Sequence, residues 1–296
     1  MDQYAALSLR TRHPQSRSLL SYRHSFHAGN LADVLKHSIL TALLDAATAK
    51  PAPMLYIDTH AGAGVYQFDD ASAARTEHCG GIDPLRAAVL REPPRSIVRY
   101  LDCVGSFNAG PSTVCYPGSA MIAAYLLRDI DRLLLCERHP ADADALAHAL
   151  RADPRVRIEF GDGYVRLKAA LPPRERRGVI LIDPAYELAD EPIQVIEGMR
   201  AALSRFGHGV YLVWYPLHGK HDHATLKRHF RRLNPPKTLC IELDPRSPAA
   251  RGATGSGVLV VNPPFQSIAE LEALTRFLGR TLTPGGRATC EWLIAE

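Results

Sequence analysis

The sequence predicts an α/β fold: a mostly parallel sheet covered on both faces, with an antiparallel pair at one edge. Three observations predict it. Short apolar runs, "RLLLCE", "VRIEF", "GVILID" and "GVYLVWYP", alternate with segments of helical period, as strands buried on both faces do. Four successive runs finish on or just before an acid, at Asp58, Glu137, Asp162 and Asp183. The runs "TLCIEL" and "GVLVVN" have no helix between them, which points to antiparallel pairing.

The elements follow in order. Leu31, Val34, Leu35, Ile39, Leu40, Leu43 and Leu44 recur at helical spacing. Asn30 is a good N-cap, and Asp33 favours the first turn. Lys36 and His37 lie close to the apolar stripe of this helix. Met54 to Ile57 is a short buried strand ended by Asp58, with a tight turn at Gly62 and Gly64. Residues from Val65 to Tyr116 are less regular, and we expect an inserted, partly helical subdomain over about 67–115. "PGSAMIAAYLLRD" is a helix, followed by the strand to Glu137, the helix "ADADALAHALR" and the strand "VRIEF". Further helices are expected up to Leu171, from about Pro192, and over "HATLKRHFRRL"; a last helix precedes "TCEWLIA".

The 296 residues suit one large α/β domain, and 46% hydrophobic content supplies its core. A net charge of +4 with pI near 8.7 permits a polyanionic partner without demanding one. The six cysteines form no CxxC and no disulfide framework, so we expect reduced thiols and a cytoplasmic protein. No apolar run reaches membrane-spanning length, and no signal-peptide h-region opens the chain. Residues 1–18 carry Arg10, Arg12 and Arg17 without a strong period and read as a flexible basic extension, with the main domain over 19–296.

In an open parallel sheet, ligands bind at the carboxyl ends of the strands. One acid there is an ordinary helix cap; four together crowd one edge with carboxylates. Glu137, ending the second strand, suits a grip on ribose hydroxyls, and Asp162 is placed to accept from an adenine amine. "DTHAGAG" lacks the third glycine of a dinucleotide fingerprint and is not a P-loop. A nucleoside cofactor without phosphates, such as S-adenosylmethionine, fits these acids. Asp183-Pro184-Ala185-Tyr186 has the form of the D-P-P-[YF] site of amino-group methyltransferases. An exocyclic adenine amine is a poor nucleophile because its lone pair is delocalised. A carboxylate and the Pro184 carbonyl accepting its two N–H bonds would aim that lone pair at a methyl donor, with Tyr186 stacking on the extruded base. "NPPF", Asn262 to Phe265, is a rival. Strand order favours Asp183, on the fourth strand, and makes "NPPF" a strand exit at the far edge.

Taken together these residues resemble the RlmJ-type 23S rRNA adenine-N6 methyltransferases. The resemblance runs from about Leu20 to the C-terminus. Its most specific part is "LSYRHSFHAGNLADVLKH", followed in family order by "YIDTHAGAG", "YPGSA", "CERHP", "GDGY", "LIDPAY", "LVWYP" and "VNPP". Members usually begin close to Leu19. It implies a Rossmann-like class I S-adenosylmethionine-dependent methyltransferase fold with a small helical insertion, acting on N6 of adenine 2030 in 23S rRNA. The family's cofactor contacts fall on His37, His60, Ser119, Glu137, Asp162 and Gly163, with Lys36 beside them. Asp58, Gly62 and Asp183 complete the cofactor set by position. The catalytic acid falls on Asp183, flanked by Pro184 and Tyr186, and an RNA contact falls on Tyr22. The family carries D-P-P-Y, so Ala185 is a departure; it should loosen the loop while leaving every hydrogen-bond acceptor in place.

Basic segments mark where RNA would sit. Residues 218–237 hold six Lys/Arg, including Lys220 and Arg228, and one acid. "RERR" at 174–177 and "SYRHSFH" at 21–27 add cations, the latter with Tyr22, Arg23 and Phe26. His218, His221 and His223 are not completed by a carboxylate or thiolate, and methyl transfer needs no metal, so none is expected. Nor does any cysteine have the Pro-Cys context of a cytosine-C5 nucleophile. A monomer is the expected state. Two other readings stand beside this one: an adenine-N6 DNA methyltransferase, disfavoured because no separate sequence-reading domain is visible, and a catalytically silent RNA-binding assembly factor, favoured only by Ala185.

Overall fold

The computed structural model describes residues 28–68, 78, 80–88, 92–108, 115–217, 223–245 and 255–295. Helix α1 (Leu31–Thr48) leads into β1 (Leu55–Asp58) and β2 (Val65–Gln67). Then come α2 (Ile82–Ala87), α3 (Arg95–Ser106), β3 (Cys115–Pro117) and α4 (Ser119–Leu126). The regular alternation follows: β4 (Arg132–Glu137), α5 (Pro140–Ala149), β5 (Val156–Phe160), α6 (Gly163–Ala170), β6 (Gly178–Ile182), α7 (Glu191–Arg205) and β7 (Val210–Pro216). The chain continues through α8 (His223–Leu233), β8 (Thr238–Asp244), β9 (Ser256–Val261), α9 (Ile268–Leu282) and β10 (Arg287–Ile294). No helix of the described residues is long and apolar enough to cross a membrane.

Eight strands form one sheet in the order β10-β8-β9-β7-β6-β1-β4-β5, and β2 pairs with β3 separately. Pairing is parallel from β5 to β7 and antiparallel among β7, β9, β8 and β10. The chain leaves β1 for β4 on one side and returns to β6 on the other. The carboxyl end of β1 is therefore the topological switch point, where an open sheet leaves a crevice.

The period of two sorts each strand between two cores. Tyr56, Leu133, Leu135, Val179, Leu181, Leu212, Val258 and Val260 pack with α1, α3, α4 and α9. Ile57, Leu134, Ile180, Ile182, Tyr211 and Val213 pack with α6, α7 and α8. From the irregular stretch, Ile82, Leu85, Ile97 and Tyr100 join the α1-side core, so the described part of it has no core of its own.

"NPPF" does not lie at the far edge. Strand β9 sits between β7 and β8, and β10 takes the edge, because the final strand adds outside β8. Being antiparallel to β7, β9 brings Val261 level with Tyr211, near the start of β7 and away from Asp183. Asn262, at φ +53°, donates from Nδ2 to the carbonyls of Gly207 (2.9 Å) and Gly209 (2.8 Å), tying down the turn before β7. Asn262→Ala should lower the unfolding free energy by about 1–3 kcal/mol in urea denaturation, from two lost hydrogen bonds and a strained backbone.

Candidate active site at the carboxyl ends of the parallel strands

An ion bridge joins the start of α1 to the end of β6. Asn30 caps α1 by accepting from the Asp33 amide at 3.0 Å. Asp33 Oδ2 accepts from the Gly29 amide at 3.0 Å, where Gly29 turns at φ +75°. Asp33 Oδ1 accepts from Lys36 Nζ at 2.8 Å, and the same ammonium donates to Asp183 Oδ2. Asp33 is 1% exposed and Lys36 3%. Burial alone would lower the Lys36 pKa, but the carboxylates of Asp183 and Asp33 outweigh it and raise it well above its ordinary value. The ammonium therefore stays charged and holds one Asp183 oxygen. Asp183 keeps a partly exposed side chain beside it.

At the end of β1, Asp58 is fully buried. Its Oδ2 accepts from the hydroxyls of Tyr56 (2.9 Å) and Ser119 (2.6 Å), and its Oδ1 from the His60 amide (3.1 Å). Burial pushes this carboxyl up to about 6; the two hydroxyls pull it down and Asp183 adds to the rise. The sequence reading puts Asp58 in the cofactor set; in the structure both of its oxygens are bonded within the protein. Asp58 positions Ser119, at the start of α4, and the backbone of His60. The His60 ring bonds through Nδ1 to Thr59 Oγ1 at 2.8 Å and meets Tyr164 edge-on. Burial pulls its pKa down to about 4, against the opposing charge of Asp183, so the ring is neutral at neutral pH.

Glu137 is held by two backbone amides. Oε2 accepts from Gly62 at 2.8 Å and Oε1 from His139 at 2.7 Å. Each oxygen keeps a further lone pair, a spacing suited to two vicinal hydroxyls. Gly62 turns at φ +62°, and a Cβ there would lie 2.1 Å from the Tyr66 hydroxyl. Asp162 caps α6 through Oδ1, which accepts from Tyr164 (2.8 Å) and Val165 (3.1 Å). The residue is exposed. Gly163 packs so closely on β1 that a Cβ would meet the Thr59 carbonyl at 2.0 Å. His37, 1% exposed, bonds through Nδ1 to the Tyr116 hydroxyl at 2.7 Å, which in turn bonds to Tyr100.

Beyond Asp183, Pro184 is buried. Tyr186, at φ +53°, is 8% exposed and packs in the α7-side core. Its hydroxyl donates to the Trp214 carbonyl at 3.0 Å. The ring is part of the wall rather than a free stacking surface, a correction to the sequence expectation. The left-handed turn directs it inward.

Comparison with known proteins places this geometry. Residues 51–294 match the family model described as "RsmJ: Ribosomal RNA large subunit methyltransferase D, RlmJ". The chain belongs to this family. Ribosomal RNA large subunit methyltransferase J of Escherichia coli (strain K12) is 40% identical over 283 residues, 94% of this chain and all of that protein. The protein of the same name from Haemophilus influenzae is 38% identical over the same span. The crystal structure of protein LPL1258 from Legionella pneumophila superposes with a TM-score of 0.83 at 34% identity, covering 90% of this chain and 98% of that one.

Within the RlmJ-type fold, Lys36, Asp58, His60 and Asp183 form one bonded or charge-coupled group, and Glu137 joins it through the glycine turn. Arg228 is exposed on α8, on the sheet face opposite α1. Tyr22, Arg23, Lys220, His218, His221 and residues 1–18 lie outside the described residues. Sequence reasoning missed the working role of Asp33, taken only as a helix-start acid. Its signal was available: Asp33 and Lys36 stand one turn apart on an apolar helix, so two charges needed partners. Tyr116 and Trp214, one inside each of two quoted motifs, were also passed over.

Two outcomes follow from these geometries. Lys36→Met leaves the buried Asp33 and the partly buried Asp183 without their cation and should destabilise the protein by about 3–5 kcal/mol, read as a urea midpoint. For His60 the folded pKa of about 4 lies below the unfolded value near 6.5, so its contribution is complete above the unfolded pKa and lost as pH falls toward 4. The stability advantage of wild type over His60→Gln should therefore grow from pH 4 to about 6.5 and level off above. Asp58, raised to about 6, has the opposite sign over a similar window, so the comparison must use the difference between the two proteins.

Proposed function

We propose that this protein methylates N6 of adenine in 23S rRNA, at adenine 2030, using S-adenosylmethionine. The observation that carries the proposal is Asp183 at the end of β6, held by a buried ammonium and followed by Pro184 at the switch point of the sheet. Both curated relatives are named as ribosomal RNA large subunit methyltransferases, which supports the substrate class.

The donor set fits the cofactor. Glu137, set by two amides, would take the ribose hydroxyls. Asp162 would accept from the adenine amine, with Gly163 keeping the approach close. His37, His60 and Ser119 would line the remainder, Asp58 and Gly62 holding His60, Ser119 and Glu137 in place. When bound, S-adenosylmethionine supplies an electrophilic methyl group.

The chain's own residues prepare the nucleophile. Lys36 occupies Asp183 Oδ2 and keeps the carboxylate oriented. Asp183 Oδ1 and the Pro184 carbonyl would accept the two N–H bonds of the target amine, leaving its lone pair pointed away from both. Proline fixes φ, which steadies that carbonyl. Ala185 replaces the second family proline without removing an acceptor. Neutral His60 adds no positive charge that would compete for Asp183.

The RNA backbone would be met by cations. Arg228, Arg231 and Arg232 are exposed on α8, whereas Lys227 is spent on Glu242. Tyr22, Arg23 and Lys220 are the further contacts proposed. We place the protein in the cytoplasm as a monomer, with residues 1–18 an extension of the methyltransferase domain.

Labelled S-adenosylmethionine with unmodified 23S rRNA, beside duplex DNA, tests the proposal. Label should appear in RNA as N6-methyladenine and fall at least about 100-fold with Asp183→Ala. Label in DNA alone would make it a DNA enzyme; bound cofactor without label in either would make it a silent binding protein.

A further inference from the structure

A base drawn out of its stack needs a new π surface next to the carboxylate that receives its amine. Tyr186 is not that surface: its ring is buried and its hydroxyl is bonded to the Trp214 carbonyl. Trp214 stands where the surface is required. Ile182 of β6 pairs with Val213 of β7 in parallel register, so Asp183 and Trp214 are the next residues on neighbouring strands, about 5 Å apart at the backbone. Both continue the rows of Leu181 and Leu212, which face α1. The ion pair of Asp183 with Lys36 agrees with that side, and Trp214 packs against both cores, joining the α1 side to the Tyr186 side.

The indole is held rigidly. Nε1 donates to Ser256 Oγ at 2.9 Å, across the β7–β9 pair. Tyr186 braces the ring edge-on, with centroids 5.6 Å apart and planes at 69°. The polar edge of Trp214 is thus satisfied within the protein. The residue is half-buried, and its π face is what it has left to offer a ligand.

We infer that Trp214 is the stacking platform for the target base, with Tyr186 as its brace. The inference rests on the adenine-N6 reading above and deepens it. Stacking accepts any base, so discrimination for adenine falls to Asp183 and the Pro184 carbonyl.

The chain has two tryptophans, Trp214 and Trp292 on the edge strand β10. In Trp292→Phe the emission therefore reports on Trp214 alone. Adenosine should quench it saturably, over the same concentrations at which adenosine inhibits methyl transfer. Trp214→Ala should lower kcat/KM for 23S rRNA roughly 10- to 100-fold, with Trp214→Phe restoring most of it and both binding labelled cofactor as the parent does. Wild-type kcat/KM in Trp214→Ala would overturn the inference, as would unchanged Trp214 emission at inhibiting adenosine concentrations. If the wild-type protein methylates no RNA, the proposed activity falls, while saturable quenching of Trp214 by adenosine in Trp292→Phe still decides the platform.

Discussion

The buried ammonium of Lys36 is the interaction on which the site depends. It lies between two carboxylates from distant parts of the chain, Asp33 in α1 and Asp183 after β6. None of the three groups is well accommodated alone in a nearly dry setting, because an unpaired buried charge is costly. Together they fix the rotation of α1 on the sheet and its height along β6. The Asn30 cap and the Gly29 turn then have one place to be, since both bond to Asp33. The same bridge restrains one Asp183 oxygen, Oδ2.

Around that bridge the site is built in two layers. The inner layer is made of groups that serve other groups: Asp58 carries Ser119 and the His60 backbone, and Tyr116 carries His37. The outer layer is made of groups with capacity to spare, among them Glu137, Asp162 and Asp183. The division follows burial. A fully buried carboxyl such as Asp58 must satisfy both oxygens internally, and its ionisation is penalised. An acid at the rim keeps lone pairs for a ligand. For the proposed reaction such a rim would serve chiefly to orient a weak nucleophile.

Much of the fold was legible before any coordinates. The strands "RLLLCE" and "GVILID" are too short and too continuously apolar to be helices, and their order, with Asp183 on the fourth, sufficed to prefer Asp183 over Asn262. The place of β9 was not legible. Nothing in "GVLVVN" says whether it adds at the edge or inserts between β7 and β8, because a strand apolar on both faces fits either position. The fate of Tyr186 was equally hidden: the D-P-x-Y pattern names an aromatic, but the positive φ that turns it inward depends on the space left by α7 and Trp214.

The sequence by itself determined most of the elements, the acids at the strand ends and the family, since these follow from local periodicity and from ordered motifs; the small β2–β3 pair was not among them. Only the tertiary structure decided which acids are available and which are occupied. Asp58, Glu137, Asp162 and Asp183 are alike as letters at strand ends. Burial and the nearest donors separate them into a positioning group, two rim acceptors and one ion-paired acid. Those donors, Ser119, Gly62 and Lys36, are brought from 61, 75 and 147 residues away. A partner at that separation is chosen by packing, and packing is a property of the whole chain.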